Sequence, residues 1–500
     1  MSRAAPVPLS ARSMALRAAV LLLAWAGFHV LGLSLALGLL WIPWVQIAYG
    51  SGPDVGGCLA GLGAFWVLWG LRPRFRRERA RDEPLPAERH PKLHALVADV
   101  ARRAGHPVPH ELHLLPYANA YAGRYGTLGR GRSMVGLGLP YLAWLDRPAV
   151  EAIIAHELGH HLSGDVRLGP WVHRTRNLMG SALDHLEGSG FWLDLPFVGY
   201  ARAFLHYSLS VSRAQELAAD AISAKVAGTG AAARALVAAD ERSSAWEAYL
   251  QTEIVPMLEA GFLPQLLVGF RDFEAALKAH RERRESPAEL REKTSEYDTH
   301  PTLEERLSAL GVKEAPAVEM SGALELLEET REAEEYVLRR MLIDEARPLR
   351  ALAWECAGTE LWLPRFRERV APHANALSQV VPEVLPGILL RIDEWAERLR
   401  TGLALFSPEA RRRHVVLLFG TWFAVYLVDL GFELETLPGW PVRATRAGTV
   451  VEPFAEIGAL FEGKLDTAGW LARCSAIRSP GADVSRQAHE SNARVTPPRQ

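Results

Sequence analysis

The N-terminal part of the chain contains a long run of apolar residues. Between residues 18 and 71 the only formally charged side chain is Asp54, and residues 42–53, with two prolines and two glycines, resemble a turn. Residues 18–41 are long enough to span a bilayer, and residues 55–71 are at the short end of that range. The pattern predicts two transmembrane helices joined by a short loop. The alternative is a buried helical hairpin in a soluble core.

Beyond residue 83 the apolar positions recur at helical spacing or in short strand-like runs. They predict a helix over residues 84–110, then three strands at 111–115, 118–122 and 133–137. A helix is expected to begin near Asp146, with Pro148 in its first turn, and a later helix carries Glu216 and Asp220 and ends near Gly228. The predicted fold is therefore mainly α with a small β-sheet, behind the N-terminal hairpin.

The chain changes character at about residue 315. Helical patterns and several tryptophans predict a separate, mainly helical domain over residues 315–478. Its fourteen uncharged residues 415–428 favour a buried core helix over a further span, because a span needs around 20 residues. The polar tail, residues 479–500, is expected to be disordered.

Composition excludes several classes of protein. The 500 residues include 56 Lys and Arg against 58 Asp and Glu, so no global basic excess indicates a nucleic-acid partner. A hydrophobic content of 49% excludes a disordered or fibrous chain. The three cysteines form no CxxC pair, so neither a disulfide framework nor a cysteine zinc site is implied, and reduced thiols fit a cytoplasmic domain.

The distribution of arginine predicts the orientation in the membrane. Three arginines precede the first apolar segment and six follow the second, whereas the loop from Trp41 to Asp54 contains no Lys or Arg. The positive-inside rule places both ends in the cytoplasm. We therefore expect an integral protein of the inner (cytoplasmic) membrane, in contact with the lipid bilayer, with everything after Arg81 on the cytoplasmic side.

The clearest chemical motif is HExxH at residues 156–160. On a helix His156 and His160 project from one face, one turn apart, so that both imidazoles can reach one zinc ion. Glu157 then lies beside the metal, where its carboxylate can take a proton from a zinc-bound water. The alternative is a pair of ordinary surface histidines.

A catalytic zinc site needs a third protein ligand. Ser163 and Val166 stand where the metzincin pattern requires Gly and His, so that extension fails. Glu187 is one candidate, but its surroundings resemble a loop. Glu216 is the better one, because Glu216 and Asp220 share a helix face, so that one can bind zinc while the other orients a ligand or the water. Two such carboxylates are also common on helix surfaces.

Together these motifs resemble the HtpX and CAAX-prenyl-protease family of integral-membrane zinc metallopeptidases, which are gluzincins. The resemblance rests on His-Glu-Leu-Gly-His, the following Gly164-Asp165, the Ser-Arg-x-x-Glu-x-x-x-Asp segment at 212–220, and Thr299-His300-Pro301 with Arg306. Residues 117–122 resemble the family's Asn-Ala-aromatic edge strand, and two spans precede the motifs. The resemblance covers about residues 15–312.

The resemblance implies a role for each matching residue. The zinc ligands, one ion per chain, are His156, His160 and Glu216, and Glu157 is the general base. His300 helps to hold the substrate or the developing oxyanion. The supporting residues are Asp220, Asp165 as a partner of a ligand histidine, and Arg306 as a brace. The edge strand with Asn119, Ala120 and Tyr121 pairs with the substrate backbone.

The sequence patterns and the resemblance together imply a domain order, and the resemblance implies a function. We expect a cytoplasmic N-terminus (1–17), two transmembrane helices with an external loop (18–71), a zincin-like α+β metallopeptidase domain (72–314), and the helical domain and tail already given. The function expected is zinc-dependent cleavage of membrane or misfolded polypeptides in quality control. The alternatives are a dedicated processing protease and a non-catalytic membrane scaffold with a structural zinc domain.

The chain also departs from the family. The segment between the HExxH helix and the glutamate helix is shorter than in HtpX-type proteins and carries charges. The large intramembrane chamber of the prenyl proteases has no counterpart among the predicted spans. Prenylated substrates are therefore not expected, and residues 315–478 resemble no family from which a partner could be inferred.

Overall fold

A computed structural model of the chain describes residues 11–50, 52–71, 83–125, 132–162, 195–283, 301–316, 322–342, 344–399 and 407–478. These residues confirm a mainly helical fold with small sheets. They form two units, one within residues 1–244 and 289–333, the other within 245–288 and 334–500. The domain limits expected from the sequence stay a prediction.

The elements are numbered in chain order. The helices are α1 (Ala11–Tyr49), α2 (Val55–Leu71), α3 (Pro91–Ala104), α4 (Leu139–Trp144), α5 (Arg147–Leu162), α6 (Leu195–Ala227), α7 (Thr229–Tyr249), α8 (Val255–Glu259), α9 (Leu266–Arg283), α10 (Leu303–Ala309), α11 (Thr330–Arg339), α12 (Trp354–Ala357), α13 (Leu363–Val370), α14 (Ala374–Leu377), α15 (Leu385–Leu389), α16 (Ile392–Arg398), α17 (Pro408–Asp429), α18 (Pro453–Phe461) and α19 (Thr467–Arg478). The strands are β1 (Glu111–Leu115), β2 (Ala120–Tyr125), β3 (Arg132–Gly138), β4 (Phe262–Leu263), β5 (Arg350–Ala351), β6 (Glu433–Glu435), β7 (Arg443–Arg446) and β8 (Thr449–Val451).

The N-terminal apolar run forms the two helices α1 and α2, which contact each other. Helix α1 continues through Pro43 to Tyr49, so the turn predicted to begin at residue 42 begins only after Tyr49. Asp54 starts α2, because its carboxylate accepts a hydrogen bond from Gly57 N–H at 2.7 Å. Among the described residues one helical stretch, Ala19–Tyr49, is long and apolar enough to cross a membrane, and the apolar stretch Val55–Trp69 is shorter.

A three-stranded sheet follows, with the strand order β1-β3-β2. β1 is parallel to β3, and β2 is antiparallel to β3 with Tyr121 opposite Gly136, so β2 forms one edge of the sheet. Helix α3 is shorter than the helix predicted over residues 84–110. It ends at Ala104 because Gly105 adopts the left-handed conformation, with φ of +76°, and closes the helix.

Helices α5 and α6 pack closely against each other. A Cβ atom added at Gly159 of α5 would lie only 3.1 Å from the Cα of Ala219 on α6. The Ser223 hydroxyl on α6 donates a hydrogen bond to the Ala152 carbonyl on α5 at 2.8 Å. The close approach at Gly159 therefore brings the C-terminal halves of the two helices together.

Helix α6 also touches the apolar hairpin at its other end. The Tyr200 hydroxyl donates a hydrogen bond to the Ala24 carbonyl of α1. A Cβ atom at Gly27 would lie 2.7 Å from the Tyr200 hydroxyl oxygen, so the glycine leaves room for this contact. One continuous helix of 33 residues thus runs from α1 to the C-terminal half of α5.

The second unit has its own core around α17. Val415, Phe419 and Phe423 of this helix have no exposed surface, and they pack with Trp470 of α19. Nearby, β6, β7 and β8 form a small antiparallel sheet. The buried core helix predicted for residues 415–428 is confirmed. The tail expected to be disordered, residues 479–500, lies outside the described residues.

Candidate metal centre

Helix α5 presents the HExxH motif. Asp146 caps its N-terminus, since its carboxylate accepts a hydrogen bond from Ala149 N–H at 2.9 Å and from the Arg234 side chain at 2.7 Å. The side chains of Ala152, Ala155 and Leu158 are buried and fix one face of the helix in the core. The helix therefore directs its histidines towards α6.

Three ligand atoms converge between α5 and α6. His156 Nε2 lies 3.2 Å from His160 Nε2 and 3.5 Å from a carboxylate oxygen of Glu216, and His160 Nε2 lies 3.8 Å from the other oxygen. Donors 2.0–2.1 Å from one tetrahedral zinc ion are separated by about 3.3 Å. The observed separations are close to that value, so these side chains fit a zinc ion.

Asp220 and Arg306 form a buried pair that contacts the ligand histidine His156. The Asp220 carboxylate lies 3.0 Å from His156 Nδ1 and accepts two hydrogen bonds from Arg306, at 2.6 and 2.8 Å. Arg306 Nη2 also lies 3.6 Å from Oε2 of Glu216. With Nδ1–H donated to Asp220, His156 keeps the lone pair of Nε2 for a metal.

The buried charges shift the pKa values of the group. Burial alone would lower the pKa of His156, but hydrogen bonds to Asp220 and Glu216 outweigh it and raise that pKa to about 9. Burial opposes the charged form of Asp220, yet its bonds with Arg306 and His156 lower its pKa. The carboxylates around His156 therefore stabilise a positive charge on its imidazole.

Glu157 lies on the same helix, next to His156. Burial raises the pKa of its carboxyl group, although the neighbouring histidines partly offset that effect. The structure thus brings His156, Glu157 and His160 together with Glu216, Asp220 and Arg306, and the roles expected of these residues stay predictions.

The predicted edge strand also lies near the centre. Strand β2 contacts α5. The Asn119 carbonyl accepts a hydrogen bond from Gly138 N–H at 2.8 Å, and the Asn119 side chain accepts one from Ala120 N–H at 2.9 Å. The Tyr121 ring lies against Gly136, where a Cβ atom would clash with it at 2.3 Å. Among the described strands none covers the outer edge of β2.

Some predicted residues fall elsewhere. His300 and Asp165 lie outside the described residues, as does Glu187, the alternative third ligand.

Two residues that contribute to the geometry of the site were not predicted from the sequence. Gly159 allows the close contact of α5 with α6. A glycine in the interior of a predicted helix can indicate such a contact from the sequence alone. Tyr141 is buried and donates a hydrogen bond to the Ala118 carbonyl at 2.9 Å, but it belongs to no motif.

Comparison with known proteins gives one family. Residues 87–313 match the model of peptidase family M48. The chain is 35% identical to Protease HtpX homolog 1 of Sulfurisphaera tokodaii over 24% of its length and 36% of that protein. It is 26% identical to the Protease HtpX homolog of Persephonella marina over 32% of its length and 60% of that protein.

A third relative, the Protease HtpX homolog of Aquifex aeolicus, is 35% identical over 16% of the chain and 26% of that protein. The matches thus span between about a quarter and three fifths of the lengths of these relatives. No solved structure matches the chain significantly. The resemblance expected from the motifs is confirmed by the family match and the names of the relatives.

The buried pair of Asp220 and Arg306 leads to a testable prediction. Arg306→Met should lower the free energy of unfolding by about 3–5 kcal/mol, because it leaves a buried carboxylate without its cation. Arg102→Met is the matched control, since Arg102 pairs with Asp99 at the surface and should matter by at most about 1 kcal/mol. Chemical denaturation in detergent measures both, and equal effects would contradict the proposed bracing.

Proposed function

We propose, from the match of residues 87–313 to peptidase family M48, that this chain is a membrane-anchored, zinc-dependent endopeptidase. The observation that carries the proposal is the convergence of His156, His160 and Glu216 on one point, with Glu157 beside them. Two imidazoles and one carboxylate are the ligand set of a zinc site that keeps a position for water or substrate. A structural zinc site would need no such glutamate.

The zinc ion, when bound, polarises a water molecule and the carbonyl of the scissile peptide bond. Glu157 accepts the proton of the attacking water and later donates it to the leaving amine. Asp220 holds His156 in the tautomer that binds metal, and Arg306 keeps Asp220 ionised. The proposed site thus consists of a general base, three metal ligands and the buried pair of Asp220 and Arg306 that positions a ligand.

The edge strand β2 is the proposed binding site for the substrate backbone. In an antiparallel pair, successive residues direct their N–H and C=O groups alternately to the partner strand and away from it. Since Asn119 and Gly138 form a hydrogen-bonded pair, Ala120 and Ala122 direct theirs to the outer edge. An extended polypeptide can add to this edge. His300 and Asp165, proposed to hold the substrate and a ligand histidine, stay predictions.

We place the anchor in α1 and α2. Large apolar side chains such as Leu23, Trp41 and Trp66 are exposed on these helices, and lipid would cover them. The arginines on both sides of the hairpin favour a cytoplasmic zinc domain. The proposed substrates are therefore membrane-protein loops and misfolded cytoplasmic segments. General quality control is the proposed role, and a single substrate recruited by residues 315–478 is its alternative.

The general base can be tested by one substitution. Glu157→Gln should retain bound zinc but lose casein cleavage by about 100-fold or more, because an amide cannot accept the proton of the water. Metal analysis and a proteolysis assay on the same preparation measure both properties. Near wild-type turnover would show that Glu157 is not the base.

The third ligand can be tested separately. Glu216→Ala should lower zinc occupancy and activity together, because it removes one of three ligands. Glu187→Ala serves as the control and should change neither property. Elemental analysis of the purified variants distinguishes the two glutamates. Full zinc occupancy in the Glu216 variant would transfer the ligand role to another residue.

The orientation can be tested with reporter fusions. A reporter fused after Arg81 should behave as cytoplasmic, and one placed at residues 50–53 as external, because inversion would oppose the arginine bias at both ends. A third fusion near Pro480 should be cytoplasmic, since α17 is a buried core helix. An external signal after Arg81 would overturn the orientation together with the proposed cytoplasmic substrates.

A further inference from the structure

Tyr141 lies between the start of the edge strand and the proposed base. It belongs to the short helix α4, which directly follows β3, and only 6% of its surface is exposed. Its hydroxyl donates a hydrogen bond to the Ala118 carbonyl at 2.9 Å. Burial first, and the negative charge of Glu157 second, raise the pKa of Tyr141 to about 12. The phenol therefore remains protonated, and so a donor, at neutral pH.

The segment that leads into β2 is held at several points. Asn119 N–H donates to the Tyr117 carbonyl, and Gly138 N–H donates to the Asn119 carbonyl, both at 2.8 Å. A Cβ atom at Gly138 would lie 2.3 Å from the Tyr117 carbonyl oxygen, so the segment rests directly on the glycine backbone. The hydrogen bond from the Tyr141 side chain of α4 holds the same segment at the Ala118 carbonyl.

Two hydrogen bonds occupy backbone groups just before and at the start of β2. The Ala118 carbonyl is taken by Tyr141, and Ala120 N–H is taken by the side chain of Asn119. The next groups along the outer edge are the Ala120 carbonyl and Ala122 N–H, which the pairing with β3 directs outwards. A substrate strand that adds to β2 would therefore begin its pairing at the Ala120 carbonyl.

We propose that Tyr141 sets the register in which a substrate strand adds to β2 and so determines which peptide bond reaches Glu157. The proposal rests on the endopeptidase function proposed above and adds a specificity-determining position to it. Tyr141 acts as a positioning residue through the Ala118 carbonyl. Its bond ends the pairing edge at a fixed point close to the base.

A defined effect on cleavage follows from strand geometry. A slip of one residue would turn every substrate side chain to the opposite face, whereas a slip of two residues keeps each side chain on its face. Without the Tyr141 bond, the segment at Ala118 would be free to extend β2 by one step, and an incoming strand could pair one step further along. The register should then be shared between the original position and one displaced by two residues.

The test is Tyr141→Phe in the full-length, zinc-loaded protein in detergent. We expect secondary cuts two residues from the main sites in casein, with the preference for the main site reduced by about 2- to 10-fold, as loss of one hydrogen bond implies. Mass spectrometry of the fragments measures the cut positions. Zinc content should equal that of the wild type, because no metal ligand is altered.

Hydrogen exchange gives a readout that does not depend on activity. In Tyr141→Phe the amides of residues 119 and 120 should exchange about 2- to 10-fold faster, whereas those of β3 should not change. Tyr249→Phe is the matched control, because Tyr249 is also buried and its hydroxyl donates to the Leu266 carbonyl at 2.8 Å within the second unit. It should leave both the cut positions and the exchange of residues 119 and 120 unchanged.

The outcomes separate this proposal from the proposed function. Unchanged exchange at residues 119 and 120, or faster exchange with an unchanged cleavage pattern, would overturn the role of Tyr141 in setting the register. The same displaced cuts in Tyr249→Phe would overturn it too, because a general loss of stability would then explain them. A zinc-loaded wild type that cleaves no polypeptide would instead contradict the endopeptidase itself.

Discussion

The geometry of the candidate centre depends on one buried carboxylate. Asp220 is almost fully buried and joins a histidine of α5 to the guanidinium of Arg306 on α10. Three segments far apart in the sequence are thereby held by two adjacent oxygens. An ionised group at this depth would be costly without both partners, so the side chains that satisfy it are fixed in place. The ligand atoms of His156 and Glu216 take their positions from this arrangement.

The second requirement is the short distance between α5 and α6. Ligands on two helices can meet at one point only if the backbones approach closely, and Gly159 allows that approach. The same surface carries the bond from Ser223 to the Ala152 carbonyl, which sets the position of one helix along the other. Helix spacing and ligand spacing are therefore determined by the same few contacts.

Helical periodicity explains why the centre could be predicted from the sequence. Residues four apart share a face, so the spacing of His156 with His160, and of Glu216 with Asp220, was informative without a structure. The contacts of Tyr141 and Gly159 depend on how distant segments pack, which no local spacing records. Helix α3 ends before the apolar spacing predicts because Gly105 closes it, and α1 continues beyond the predicted turn because Pro43 does not end the helix.

The length of α6 has a mechanical consequence. Sixteen residues, or about 24 Å of helix, separate the Tyr200 contact on α1 from Glu216. A rod of that length that pivots by about 5° at Tyr200 moves its far end by about 2 Å, roughly one metal–ligand bond length. Tyr200, which contacts the apolar hairpin, and Glu216 in the candidate centre thus lie on one continuous helix. A movement of α1 that tilts α6 would therefore also displace Glu216 in the candidate centre.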